Sequence, residues 1–191
     1  MTNPWKKIRE NLIYENKFGY KLREDDVITP GGKEGKYMVL ESKGYVQIVA
    51  ITSDKKVIMV RQWRYPIDEE SLEVPTGGIE GEENPIETAK RELDEEVGVK
   101  SADYQKIGEY WVGSGALKVK GHLVLATNVI LSGDPHTEET EVIKTELYPF
   151  SEVVEKIMTG EINDDKTIIG ILMVKEFLQK ANRNLMDLSN Q

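Results

Sequence analysis

Cysteine is absent from all 191 residues. A disulfide framework, thiolate zinc sites and a cysteine nucleophile are therefore excluded. No apolar run approaches the ~18–20 residues that a membrane-spanning helix needs. Basic residues are outnumbered, 25 against 34 acidic, for a formal charge of −9. A dedicated nucleic-acid binder, or a protein that lies on anionic membranes, needs the opposite balance, so neither partner is expected. Aromatic residues make up only 7% of the chain. The opening residues, Met1 to Lys7, have no signal-like apolar stretch. A soluble, cytoplasmic protein is expected, with one domain or one domain plus a small extension.

No internal repeat and no Ser, Gly or Pro linker divides the chain. Short strands are expected at Leu12–Tyr14 and Phe18–Leu22, before a turn at Thr29-Pro30-Gly31-Gly32. Val, Ile and Tyr-rich strands follow at Tyr37–Glu41, Tyr45–Thr52 and Lys56–Trp63, then a short one at Leu72–Val74. Further strands are expected at Tyr104–Val112, Lys118–Val129 and Glu141–Tyr148. Helical patterns follow at Glu152–Met158 and from Lys166 to Gln179, ahead of a frayed tail over 182–191.

The strongest helix signal lies between these strands. Asn84 is placed to cap it, Pro85 suits its first position, and Glu87 stands three residues after the cap. Gly98 is placed to end it in a left-handed conformation. Ile86, Ala89, Leu93 and Val97 recur at 3,4,4 spacing and form one apolar stripe. Strands on both sides of one central helix predict an α+β sandwich, not regular βαβ winding.

Residues 80 to 96 hold eight acids, among them Glu80, Glu83, Glu92, Glu95 and Glu96, against two bases, Lys90 and Arg91. Glu92, Glu95 and Glu96 stand at i,i+3 and i,i+4 and project away from the stripe. Two carboxylates ~6 Å apart repel by roughly 3 kcal/mol at an effective dielectric of ~20. Helix stability alone would alternate their signs, so a cation is expected among them. Oxygen donors without His or Cys suit Mg²⁺ or Mn²⁺ better than zinc. The plain alternative is a solvated acidic face.

The stretch from Gly77 through Glu83 to Arg91-Glu92-Leu93-Asp94-Glu95-Glu96-Val97-Gly98-Val99 resembles the Nudix box at every defined position over 23 residues. That resemblance implies an α/β/α sandwich with a mixed sheet and an N-terminal antiparallel β extension. It also implies Glu92, Glu95 and Glu96 as metal ligands, with Glu92 and Glu95 counted in the catalytic set, and the Thr76 carbonyl as a backbone ligand. Glu83 and Arg91 would orient this set. An ordinary surface salt bridge is the alternative for that pair.

Outside the box the chain resembles the branch that cleaves ADP-ribose and other nucleoside diphosphate sugars. Val60-Arg61-Gln62-Trp63-Arg64-Tyr65-Pro66 and Leu72-Glu73-Val74-Pro75-Thr76-Gly77-Gly78 carry that likeness. It implies Arg64 as a phosphate- or ribose-contacting arginine. The alternative is a strand-end arginine paired with Asp68 or Glu69. The acidic loop Glu138–Ile143 aligns with one that carries a further catalytic glutamate, Glu141 or else Glu139. Tyr37 stands where an aromatic faces the base, and Gly78 and Ser114 complete the implied substrate contacts.

The branch resemblance divides the chain into a dimerisation and base-pocket extension (1–42), a catalytic domain (43–181) and a tail (182–191), and implies a homodimer. One departure is the turn Gly113-Ser114-Gly115-Ala116, which lacks the proline common in the branch and widens the expected substrate range. Two further readings stand beside nucleotide-sugar hydrolysis. One is hydrolysis of a triphosphate, dinucleoside polyphosphate or coenzyme A; the other is a non-catalytic nucleotide-sugar sensor.

Overall fold

The computed structural model describes residues 2–100, 103–131 and 142–188. Its strands are β1 (Lys6–Arg9), β2 (Leu12–Glu15), β3 (Lys21–Ile28), β4 (Glu34–Glu41), β5 (Tyr45–Thr52), β6 (Lys56–Arg64), β7 (Glu69–Glu73), β8 (Thr76–Gly78), β9 (Val99–Lys100), β10 (Asp103–Val112), β11 (Leu117–Leu131) and β12 (Lys144–Pro149). The helices are α1 (Pro85–Val97), α2 (Phe150–Met158) and α3 (Asp165–Leu188). The contacts divide the chain into two units, Met1–Gly44 with Tyr110–Gly121, and Tyr45–Glu109 with His122 onward.

In the larger unit the central strands are apolar on both sides, as strands covered on both faces must be. Val46, Ile48 and Ala50 of β5, Ile58 and Val60 of β6, and Val124 and Ala126 of β11 pack with Ala89, Leu93 and Val97 of α1. The alternate residues Val49, Val57, Met59, Leu123 and Leu125 pack with Val153 of α2 and Ile171 and Val174 of α3. Period-two alternation therefore assigns each strand residue to one helix layer or the other, which gives an α/β/α sandwich. β6 pairs antiparallel with β12 on one side and with β7 on the other, joining Val60 to Glu73 and Arg64 to Glu69. β8 pairs antiparallel with β5, joining Thr76 to Gln47.

The smaller unit is built on β3, which pairs antiparallel with β4 along its whole length. β1 and β2 share the other edge of β3, β1 at the Ile28 end and β2 at the Lys21 end. β4 also pairs, in parallel, with the start of β11, Leu40 to Leu117. β3 begins later than the expected Phe18–Leu22 strand. The Asn16 side chain accepts from the N–H of Phe18 and of Tyr20 at 3.0 Å each, and Gly19 takes φ +80°, so those residues turn instead of extending. The strand itself reads Lys-Leu-Arg-Glu-Asp-Asp-Val-Ile, and its four consecutive charges mask the apolar alternation that would mark it. Its charges are paired instead: Arg23 meets Glu10 at 2.9 Å and also contacts Glu41.

Candidate active site on the carboxylate helix

The two ends of α1 set its phase. The Asn84 side chain accepts from the N–H of Ile86 at 2.9 Å and of Glu87 at 3.2 Å. In return, Glu87 accepts from the Asn84 N–H at 2.9 Å, closing the reciprocal cap. Gly98 stops the helix at φ 66°, ψ 39°. With Ala89, Leu93 and Val97 committed to the core, Glu92 and Glu96 are rotated to its margin at 9% and 6% exposure. Glu95 points outward, with 47% of its side chain exposed.

Arg91 organises the acids. Its Nε and Nη2 donate to the two oxygens of Glu83 at 3.0 and 3.2 Å. Nη1 donates to Glu92 at 2.7 Å and to Glu95 at 3.0 Å, and Nη2 also donates to the Gly78 carbonyl at 3.0 Å. Burial opposes the charge of Arg91, but the carboxylates of Glu83, Glu92 and Glu95 hold its pKa above the ordinary value. The Arg91 fork in turn lowers the pKa of Glu83, helped by the Thr88 hydroxyl, which donates to it at 2.9 Å. The expected Glu83–Arg91 pair is thus present, and one guanidinium ties the loop before the helix to the helix face.

The loop is shaped for this contact. A Cβ on Gly77 would lie 1.7 Å from Cδ and Oε1 of Glu92, so glycine makes room for that carboxylate against the backbone. Thr76 and Gly77 are held in place by the β8–β5 ladder, and the Ile48 N–H donates to the Pro75 carbonyl at 2.9 Å. The expected donors Glu92, Glu95, Glu96 and the Thr76 carbonyl are all oxygen, a chemistry that fits a hard divalent cation. Among the described residues no three acidic or histidine side chains converge on one point. Glu92 and Glu95 instead share Arg91 Nη1, so their bound oxygens lie no farther apart than those two hydrogen bonds laid end to end.

The Arg64 guanidinium does not take the carboxylate of Asp68 or Glu69, although its backbone meets both residues. Its Nε and Nη2 donate to the two oxygens of Glu73 at 2.7 and 2.6 Å. Glu73 holds the pKa of Arg64 above its ordinary value against the effect of burial, with smaller attractions from Asp164 and Glu96. The attraction from Glu96 puts Arg64 within electrostatic reach of the carboxylate helix. Glu73 was not singled out in the sequence, although an acid inside Leu72-Glu73-Val74 was a visible signal.

Gly78 lies in β8 and uses its carbonyl for Arg91. Tyr37 and Ser114 belong to the smaller unit. The Tyr37 hydroxyl donates to the Gly115 carbonyl at 2.6 Å, and its ring meets Trp5 edge-on with centroids 5.3 Å apart. Ser114 sits in a turn in which Gly113 has φ 47° and its carbonyl accepts from the Ala116 N–H at 3.0 Å. Glu139 and Glu141 lie outside the described residues.

The NUDIX domain model matches residues 43–169. The chain is 31% identical over 177 residues to the ADP-ribose pyrophosphatase of Bacillus subtilis, covering 91% of this chain and 95% of that one. It is 33% identical over 158 residues to the ADP-ribose pyrophosphatase of Mycobacterium tuberculosis, covering 81% and 76%. A crystal structure of an ADP compounds hydrolase superposes with TM-score 0.81 at 20% identity, covering 94% of this chain and 96% of that one, and so shares the fold. The family match includes the loop and helix on which Glu83, Arg91, Glu92, Glu95 and Glu96 are assembled, and this chain belongs to the Nudix family.

Proposed function

We propose that this protein hydrolyses the diphosphate linkage of ADP-ribose or a related nucleoside diphosphate sugar to a nucleoside monophosphate and a sugar phosphate. The observation that carries this reading is the Arg91 guanidinium, which gathers Glu83, Glu92, Glu95 and the Gly78 carbonyl of the preceding loop into one site. The names of the relatives support the substrate class.

Glu92, Glu95, Glu96 and the Thr76 carbonyl would hold Mg²⁺, with Mn²⁺ as a substitute. When bound, such a cation neutralises the diphosphate and makes water a stronger nucleophile. Arg91 offsets the repulsion among the carboxylates it gathers, and Glu83 fixes Arg91. Arg64 contacts the diphosphate or the adjoining ribose. Water adds its oxygen to one phosphorus, the bridging P–O bond breaks, and Glu141 or Glu139 takes the proton as general base. Tyr37 and Ser114 contribute to the base and ribose contacts, and Gly78 lines the substrate path. The working unit is a homodimer, which the exposed apolar side chains Ile8, Leu12, Ile13 and Phe18 of the smaller unit support.

The test is a panel of ADP-ribose, UDP-sugars, GDP-sugars, nucleoside triphosphates and coenzyme A with Mg²⁺, scored by the released monophosphate. Turnover of a nucleotide sugar that EDTA abolishes and Mg²⁺ restores is expected. Preferred cleavage of a triphosphate or coenzyme A would overturn the substrate class. Tight ADP-ribose binding without products would make the protein a sensor instead.

A further inference from the structure

Glu73 is a fully buried acid at 1% exposure, in a strand whose neighbours Leu72 and Val74 belong to the core. Both of its oxygens face cations. Arg64 takes both through Nε and Nη2, and Lys166 Nζ of α3 stands 3.9 Å from Oε2. Lys166 is itself held by Asp164, which also accepts from the N–H and hydroxyl of Thr167 at 2.8 Å each. Thr167 returns to the strand, accepting from the Val74 N–H at 3.0 Å. The end of β7 and the first turn of α3 are thus joined at Glu73 and at the residue after it.

Arg64, Glu73 and Lys166 all line one cavity of about 530 Å³, with Ser71, Asn163 and Asp165 on its walls. A buried ion pair is a weak source of stability, because desolvation offsets most of the attraction and apolar packing does as well. What such a pair does supply is direction. The bidentate grip uses Nε and Nη2 of the guanidinium and leaves its Nη1 edge for a ligand. A long side chain at the end of a strand otherwise has many rotamers to lose on binding.

We propose that Glu73 is a positioning residue that, with Lys166, holds Arg64 in its substrate-binding orientation. The inference rests on the nucleotide-sugar reading, in which Arg64 meets the diphosphate or the adjoining ribose. Glu73 touches no substrate. It acts through Arg64.

The test is a double-mutant cycle on the full-length enzyme, with KM and kcat read separately. Glu73→Gln is expected to raise KM about tenfold and to leave kcat within about threefold, as loss of a supporting contact does. In an Arg64→Ala background the same change should move KM by less than about twofold. Additive effects, or an unchanged KM in Glu73→Gln, would overturn the proposal, because a purely structural pair lowers the melting temperature without moving KM. Should Glu73→Gln fail to fold, Arg64→Lys keeps the charge and loses the fork; it should raise KM to a similar extent, and an unchanged KM would overturn the idea. A wild-type enzyme that cleaves no nucleotide sugar would refute the substrate reading alone. The cycle is then read in the Kd for magnesium pyrophosphate, where equal affinity for wild type and Glu73→Gln overturns the positioning role.

Discussion

The Glu92 carboxylate occupies the space in which any residue but glycine at position 77 would place its Cβ, 1.7 Å from Cδ and Oε1. The loop glycine and the helix glutamate are therefore one feature. Gly77→Ala leaves a backbone conformation that alanine can adopt, so the strain falls on Glu92, which must turn away. Turnover should drop by about 100-fold or more, the size of effect that a misplacement of about 1 Å produces. The melting temperature should change little. A crystal structure of the variant with Glu92 in its original position, together with normal turnover, would contradict this.

Glu96 is almost completely buried at the margin of the same helix. Glu96→Gln keeps its shape and removes its charge. Turnover is expected to fall by about 100-fold or more, and Mn²⁺ affinity to weaken in parallel. The far-ultraviolet dichroism should match wild type. Near-normal turnover would show that the carboxylate site is misassigned.

Acid stability should depend on a second cluster, on the paired strands β6 and β12. Glu146 accepts from Arg61 at 3.0 and 3.1 Å, from Lys144 at 2.8 Å and from Tyr148 at 2.5 Å. These contacts, led by Arg61, hold its pKa well below the ordinary carboxylate value of 4.5. A carboxyl whose pKa falls on folding binds its proton more weakly in the native state. The stability it adds is complete above 4.5 and drains away as the pH falls toward the lowered native value. Glu146→Gln should cost about 1–3 kcal/mol at neutral pH. Urea unfolding at a series of pH values should show the gap between wild type and variant narrowing below 4.5; a constant gap would rule out this linkage.

Both faces of β2 are exposed, including Leu12, Ile13 and Tyr14, and Phe18 beyond it is 72% exposed. A short apolar ribbon of this kind is the surface a second copy would cover. Sedimentation should give twice the monomer mass, and Leu12→Asp with Tyr14→Asp should halve it. A wild-type monomer at micromolar concentration would refute the dimer.

The carboxylate helix was legible because its determinants are local. Asn84, Pro85, Glu87 and Gly98 set its ends, and the 3,4,4 apolar spacing set its phase, so the positions of Glu92, Glu95 and Glu96 followed. The apolar strands were legible for the same reason, each being long and bounded by turn residues. β3 was not, since its pattern is charged and only its two pairing edges hold it extended. The union of Tyr110–Gly121 with the first 44 residues was also invisible, because pairing between β4 and the start of β11 joins segments far apart in the chain.

Two decisions at the site belong to tertiary structure alone. Arg64 has Asp68 nearby in sequence and Glu69 opposite it in the β6–β7 ladder. Its guanidinium nonetheless turns along the same face of the sheet to Glu73, which the ladder sets opposite Val60, and burial strengthens that attraction. Glu92 and Glu95 share a guanidinium nitrogen because the loop carrying Glu83 and Gly78 folds back over the helix and holds Arg91 there. Residue spacing along one helix says which acids stand together. Which cation each of them meets depends on elements brought close by packing, and no local pattern encodes that.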